Sequence, residues 1–455
     1  GERFPDFPAF VKEMRERGIR LIPIIDAGVK VEKGYSVYEE GVKNNYFCKG
    51  EDGKPFVVGV WPGDSVFPDF LNSKAREWFG SNYKTLLDCG IEGFWNDMNE
   101  PSVFYSKNSL AKTIEHISGK AGKNLSLQEF WSITGAVAAL ANNPEDYASF
   151  YHDADGKQIR HSEVHNLFGY NMVRSASEYF KKYDDKKRFL IYSRSSHIGM
   201  HRYGGIWTGD NASRWDHLLM NLKMLPSLNM CGFLYAGADI GGFGQDTTED
   251  LMLRWLALGI FVPLLRNHCT FGARRQEFYL FENKKAIKNL LDLRYSLIPY
   301  LYSEYVKSAL RGELLYTPLG FLYPNDERAK EIEDQLFVGS SIMIAPVYRQ
   351  NEKGRLVYLP ESMKMVKIKS VTDYREEVLP RGDHYIEIGF DETVFFIAPG
   401  KALPLANPVS HVEDLDDKNF LWLKNSEGEV DYELYTDDGV TADIRFENIR
   451  TITVK

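Results

Sequence analysis

Residues 1–312 repeat one pattern: an amphipathic helical stretch, a short apolar run, then an ionisable residue. Phe7 to Arg17 has helical spacing, Gly18 ends it, and RLIPII (20–25) runs as a strand to Asp26. SKAREWFGSNYKTLLD (73–88) is helical, Gly90 follows, and GFWN (93–96) reaches Asp97. A helical stretch over 164–183 precedes RFLIYS (188–193) and Arg194, and IWTG (206–209) reaches Asp210. Helical spacing over 213–225 precedes GFLYAGA (232–238) and Asp239; EDLMLRWLALGI (249–260) precedes PLLRN and His268; a long helix follows over 284–310. Such alternation predicts a parallel sheet with helical crossovers, and strands apolar throughout predict burial on both faces. A doubly wound open sheet also alternates, but its ligands gather at one switch point. Six strands that each end in an ionisable residue fit the C-terminal face of a (β/α)8 barrel. The expected fold is therefore α/β, a TIM barrel. Closure needs eight strands, so two are expected to precede Gly1.

Residues 101–162 form a long insertion behind the strand that ends at Asp97, expected to wall or cover a site at that face. It holds PSVFYSKNS, helical spacing at 127–141, and YHDADGKQIRH. Beyond residue 313 the period changes. FVGSSIMIAPV, RLVYLP, HYIEIGF and TVFFIAPGKALPLA read as strands with Gly, Pro and Asp turns. The expected domains are a catalytic barrel at 1–312, a β-sandwich at 313–406 and a distal β unit at 407–455.

A chain of 455 residues is too long for one core, in keeping with this division. The net charge of −9, without a basic cluster interleaved with aromatics, argues against nucleic acid. No apolar run reaches the roughly 18 residues that span a membrane. Cys48, Cys89, Cys231 and Cys269 form no CxxC pair and no zinc spacing, and read as scattered reduced thiols of a cytoplasmic protein, with disulfides left open. There is no HExxH, P-loop or GxGxxG, so neither a metal nor a cofactor is expected. DADG (153–156) resembles part of a calcium loop but lacks the closing glutamate.

Two strand-end carboxylates stand out, Asp97 and Asp210, each shortly after a tryptophan, Trp95 and Trp207. Cleaving a glycosidic bond takes two carboxyl groups, one to protonate the leaving oxygen and one to attack or to activate water. Their pKa values must be driven apart, upward by an apolar wall and downward by cations such as Arg194, Arg266 or His268. Taken singly, each has a plainer reading: a helix cap or ion-pair partner for the aspartates, a structural role for Arg194, a hydrogen-bonded histidine for His268. Glu100, past the strand end and beside Pro101, is expected to brace its loop.

At these residues the sequence resembles glycoside hydrolase family 31, the α-glucosidases and their relatives. GFWNDMNEPS (93–102) matches the nucleophile signature, and YSRSSHIGMHRYGGIWTGDN (192–211) is similar to the acid/base block, with His201 where many members have glutamine. GVWPGDSVFPDF (59–70), GADIGGF (237–243) and RNH (266–268) resemble further family blocks. The resemblance implies a retaining mechanism with Asp97 as nucleophile and Asp210 as acid/base. It implies a sugar subsite of Ile24, Trp61, Trp95, Met98, Arg194, Trp207, Asp239, Phe243, Arg266 and His268. The WNDMNE form looks like the α-glucosidase branch, acting on short α-glucoside oligosaccharides. An α-xylosidase, a transglucosylase, a sulfoquinovosidase or a non-catalytic carbohydrate-binding fragment stay open as alternatives, and so does homo-oligomerisation. Family members begin with a β-sandwich and two further barrel strands, the second supplying a sugar-binding aspartate. The expectation is that this chain works together with such an N-terminal portion.

Overall fold

The computed structural model describes residues 3–455, which form two compact units that divide between Ile206 and Trp207. In the first unit, parallel strands follow one another side by side: β1 (Ile24–Asp26), β2 (Gly93–Asp97), β3 (Leu190–Ser193) and β4 (Gly205–Trp207), whose first two residues close the unit. The register pairs Ile24 with Trp95, Asp26 with Asp97, Asn96 with Ser193, and Ser193 with Ile206. β1 is shorter than the expected 20–25 run. Pro23 has no N–H to give to a ladder, and regular pairing starts only after it. β2 is buried up to Asn96, as an all-apolar strand requires.

The helices behind this sheet follow the expected segments. Phe7–Glu16 is capped by Asp6, and Ser73–Asn82 by Asn72, whose side chain accepts the N–H groups of Lys74 and Ala75. The expected helix 73–88 divides at Tyr83 into Ser73–Asn82 and Lys84–Leu87. Tyr83 buries its ring and donates to Asn96 Oδ1 at 2.7 Å, tying the crossover to β2. Ser73–Asn82 crosses Leu167–Tyr183 so closely that a Cβ at Gly80 would lie 2.4 Å from the Ser175 carbonyl oxygen.

The insertion adds helices Lys107–Ser118 and Leu127–Ala138, each opened by a serine capping box. A hairpin follows, Phe150–Ala154 with Lys157–Arg160. DADG is its turn: Asp155 and Gly156 take positive φ, and Asp153 accepts the Gly156 N–H at 2.6 Å.

In the second unit, β5 (Ala236–Asp239) and β6 (Leu264–Arg266) are parallel, with Asp239 opposite Arg266. Thr208 donates to the Gly237 carbonyl at 3.0 Å, which lays the chain after Trp207 along β5. A Cβ at Gly237 would meet the Leu264 carbonyl oxygen at 2.5 Å, so only glycine allows this approach of the strands. Helices Trp215–Met230, Glu249–Gly259 and Lys284–Arg311 follow the expected segments.

The remainder is β-structure. Six antiparallel strands run in the order 316–318, 336–338, 342–344, 393–397, 363–370, 373–379. Their residues alternate between two cores. Phe337, Met343, Met365 and Phe396 meet Val357, Leu359 and Ile386 of the ribbon 354–359/382–387. Leu336, Ile342, Val366, Phe395 and Ile397 meet Leu290, Leu297 and Tyr300 of the long helix. Burial on both faces explains why the strands 336–338, 342–344 and 393–397 read as continuous apolar runs. Arg254 completes this second body: its guanidinium donates to the carbonyls of Glu352, Ile388 and Gly389. One core therefore runs from the crossover helices into the β-region. Ala402–Ala406 likewise pairs with Phe420–Lys424, so one ladder spans the expected 406/407 division.

Among the described residues no helix is long and apolar enough to cross a membrane. All four cysteines are free thiols.

At the N-terminal end of β2, Glu92 gathers Arg15 at 2.8 Å together with Arg20 and Lys187. Burial pushes its carboxyl up, but Lys187 and Arg15 outweigh it and hold the pKa below the usual value. A depressed folded-state pKa stabilises above the unfolded value and is lost as pH falls through the folded one. Glu92→Gln should therefore cost about 1–2 kcal/mol at pH 7, the arginines being half exposed. The difference in thermal midpoint from wild type should close below about pH 4.

Candidate active site

At the C-terminal end of the first unit's strands, the register sets two carboxylates side by side, Asp26 and Asp97. Asp97 Oδ1 accepts the Met98 N–H at 2.8 Å and lies 3.2 Å from Arg194 Nη1. Met98 takes a positive φ of 54°, turning the chain sharply behind the strand. Arg194 is the hub of this group. It follows β3 directly and gives Nε and Nη2 to the two oxygens of Glu100, at 2.7 and 3.0 Å. The same Nη2 lies 3.1 Å from Met98 Sδ. One planar guanidinium thus holds a bidentate partner on one edge and Asp97 on the other. Glu100 braces more than its loop, because it orients the cation that faces Asp97.

Asp26 was placed by sequence only as a strand end. Burial, then the charge of Asp97, raise its pKa, Arg194 opposes them, and the result is about 6. Its chemistry comes from Asp97 and Arg194, neither of which is near it in sequence. The strand-end position alone carried the signal.

Trp95 is buried and packs on Tyr192 with ring centroids 5.0 Å apart. Ile24 and Trp61 are on the surface, 50% and 71% exposed. Trp61 meets Phe104 edge to face at 4.9 Å, at the start of the insertion. Asn99 stitches the loop behind β2 to β3: its amide donates to Ser193 Oγ at 2.9 Å and its oxygen accepts the Ser195 N–H at 3.1 Å.

The second unit groups the remaining expected residues. Asp239, fully buried at the end of β5, takes both Nε and Nη2 of Arg266, the latter at 2.8 Å. Burial raises the Asp239 pKa, opposed by Arg266, His268 and a hydrogen bond from Trp207. The Arg266 guanidinium also lies over the Trp207 ring, 4.6 Å from its centroid, and Phe243 stacks on His268 at 5.3 Å. Asp210 is exposed in the bend after Gly209, and its neighbour Asn211 is buried. Asn211 donates to the Asp239 carbonyl at 2.9 Å and accepts the Phe243 N–H at 3.0 Å, joining the segment that carries Asp210 to the end of β5. Gln276, unmarked in sequence, is a buried clasp: its amide donates to the carbonyls of Ile240, Gly242 and His268.

Cys48, Asp69 and His152 bring ligand-type atoms within 4.8 Å of one another, all buried. These groups already serve protein partners. The Cys48 thiol donates to the Pro68 carbonyl at 3.6 Å, and burial, then the Asp69 charge, push its pKa up. Asp69 accepts from His152 and from the Leu71 and Asp153 N–H groups. The cluster is a hydrogen-bonded core rather than an open coordination site.

Residues 1–304 match the model for the glycosyl hydrolases family 31 TIM-barrel domain, and residues 312–403 the family 31 C-terminal domain. The chain is 35% identical over 443 residues to alpha-glucosidase 2 of Bacillus thermoamyloliquefaciens, covering 96% of this chain and 51% of that protein. It is 32% identical over 366 residues to an alpha-glucosidase of Saccharolobus solfataricus, covering 79% and 50%. A crystal structure of a glucosidase II alpha subunit with bound alpha3-Glc2 superposes with a TM-score of 0.80 at 26% identity, covering 98% of this chain and 45% of that one. The chain thus spans about half the length of the relatives it matches.

The electrostatics around Asp26 can be tested by its titration. Asp97→Asn removes a charge that raises the Asp26 pKa and should bring it below about 6; Arg194→Met removes a charge that lowers it and should move it above. Carboxyl 13C shifts of labelled aspartate read both directions.

Proposed function

The chain belongs to glycosyl hydrolase family 31, and on that premise we propose that it is the catalytic part of a retaining, exo-acting α-glucosidase. Its substrate is the terminal α-linked glucose of short oligosaccharides. The observation that carries this reading is the Asp97 environment. The carboxylate ends a buried strand, its Oδ1 is held by the Met98 N–H and Arg194, and neither bond uses Oδ2. Oδ2 is the oxygen we assign to the attack. The α-glucosidase names of the 35% and 32% identical relatives support the substrate class.

In the first step Asp97 Oδ2 bonds to the anomeric carbon as the glycosidic C–O bond breaks, and Asp210 delivers its proton to the leaving oxygen. A glycosyl ester results. In the second step Asp210 takes a proton from water, the water oxygen bonds to the anomeric carbon, and Asp97 leaves as carboxylate. Two displacements retain the α configuration, and this chemistry requires carboxyls roughly 5–5.5 Å apart. Arg194 stabilises the ionised nucleophile. The Asp239–Arg266 pair, with Trp207, Phe243 and His268, offers bidentate hydrogen bonding and aromatic faces of the kind that bind sugar hydroxyls and reject analogues lacking them.

The test is hydrolysis of α-linked glucose disaccharides and an aryl α-xyloside by the whole protein, with product anomers followed by NMR. Glucosides should be cleaved in preference to the xyloside, with the α anomer formed first; a β-first product would exclude the retaining assignment. Asp97→Ala and Asp210→Ala should each lower kcat on a disaccharide at least roughly a thousandfold. Wild-type turnover by Asp97→Ala would remove it as nucleophile.

A further inference from the structure

The two carboxyls of the proposed mechanism are held by different means. Asp97 closes a buried strand, whereas Asp210 stands exposed in a bend beyond the end of β4. A proton donor in such a bend has neither burial nor a strand ladder to aim it, so its direction depends on how its own segment is fixed. The Asn211 N–H donates to the Gly209 carbonyl at 2.9 Å and Gly209 takes a φ of 87°, which makes Asp210 the centre of a three-residue turn. The residues that follow are pinned along one side. Phe243 and Gly244 donate their N–H groups to the Asn211 carbonyl at 2.9 and 2.8 Å, and Ser213 donates its own to the Gly244 carbonyl at 2.8 Å.

Helix Trp215–Met230 holds the same residues from another side. Ala212 donates its N–H to His217 Nδ1 at 2.9 Å, and Asn211 Nδ2 donates to Asn221 Oδ1 at 3.2 Å. His217 and Asn221 are four residues apart and share one face of the helix. His217, in the first turn and bonded to an N–H just ahead of the helix, is accounted for as a cap. Asn221 lies in the second turn, too far in to cap, and its oxygen serves a buried side chain. The partners of Asn211 fix which way its amide points. Oδ1 accepts the Phe243 N–H at 3.0 Å, so Nδ2 is on the other side, where it gives one hydrogen to the Asp239 carbonyl at 2.9 Å and the other to Asn221. Without Asn221 Oδ1, one hydrogen of a buried amide loses its acceptor, and the amide is no longer held in a single orientation.

We propose that Asn221 is a positioning residue for the acid/base. By accepting the second hydrogen of the Asn211 amide it fixes the residue next to Asp210, and with it the direction from which Asp210 gives a proton to the leaving oxygen and takes one from water. Asp97 is held separately, by the Met98 N–H and Arg194, so loss of Asn221 weakens proton transfer and leaves the attack at the anomeric carbon intact. This role rests on the α-glucosidase reading, with Asp210 as its acid/base. The leaving group separates the two effects. When a sugar departs, the electron pair of the breaking C–O bond stays on an oxygen that needs the Asp210 proton. When fluoride departs from α-glucosyl fluoride, the electron pair of the C–F bond leaves on a weak base that needs none.

The experiment compares kcat/KM of the whole protein on an α-linked glucose disaccharide and on α-glucosyl fluoride. Asn221 borders a cavity of about 20 Å³ lined by Met224, Leu225, Leu228 and Val262, so a leucine in its place meets apolar neighbours. Asn221→Leu should lower kcat/KM on the disaccharide roughly ten- to hundredfold, and on the fluoride less than about threefold. Asn221→Asp is isosteric, keeps an accepting oxygen, and should recover most of the loss on the disaccharide. Equal losses on both substrates, or none on either, would overturn the proposal, because a role in packing alone predicts no discrimination by leaving group. An Asp variant no better than the Leu variant would overturn it as well. Should Asn221→Leu not fold, Asn221→Ala, which only shortens the side chain, is read by the same ratio. A wild-type protein without turnover on either substrate would fail the α-glucosidase reading and this proposal with it, an outcome distinct from an active enzyme whose variants lose both substrates equally.

Discussion

A shared strand register underlies the chemistry of the first unit. Asp26 stands opposite Asp97, and Ser193 stands opposite Asn96, so that Arg194, one residue on, reaches Asp97. In a parallel sheet a slip of one residue would turn these side chains to the other face. The register is held by the burial of β2 on both sides, by the Tyr83–Asn96 hydrogen bond behind it, and by Asn99 bridging the ends of β2 and β3.

Given that register, the central balance is one cation among three carboxylates. Arg194 gives two nitrogens to Glu100 and one to Asp97, while Asp26 sits close enough for its pKa to feel both charges. A lysine, a point charge without the planar fork, could not serve Glu100 in bidentate fashion while facing Asp97. The second unit repeats the device with Asp239 and Arg266. In both, burial penalises the charged form and a fixed guanidinium compensates, leaving polar groups oriented in a site of low dielectric.

The strand-end pattern was readable because it depends on local order: apolar run, then polar residue. It located Asp97, Arg194 and Asp239, and pointed to His268 where the strand itself ends at Arg266. Asp26 was located too, but its role was not, because its raised pKa comes from burial and from Asp97 on another strand. Glu100 could be recognised as a brace but not as the partner of Arg194. Gln276 and the hydrogen-bonded line of His152, His161 and His165 left almost no trace. The spacing of His161 and His165 at i and i+4 places two imidazoles along a helical turn, yet nothing local announces that His152 and Asp69 complete the line. The expected boundaries at 312/313 and 406/407 follow changes of sequence period, which say nothing of the core that runs from Trp255 through Tyr300 to Phe395.

What the sequence determined by itself was the alternation of helix and strand, the burial of strands β2 to β5, and the motifs that carry the family resemblance. These rest on periodicity and on residue type, which a linear chain displays directly. What only the tertiary structure decided was which distant groups share an environment: Asp26 with Asp97, Glu100 with Arg194, Asp69 with three histidines. Protonation and orientation depend on the distance to a neighbour and on the dielectric between, and neither quantity exists until the chain has folded.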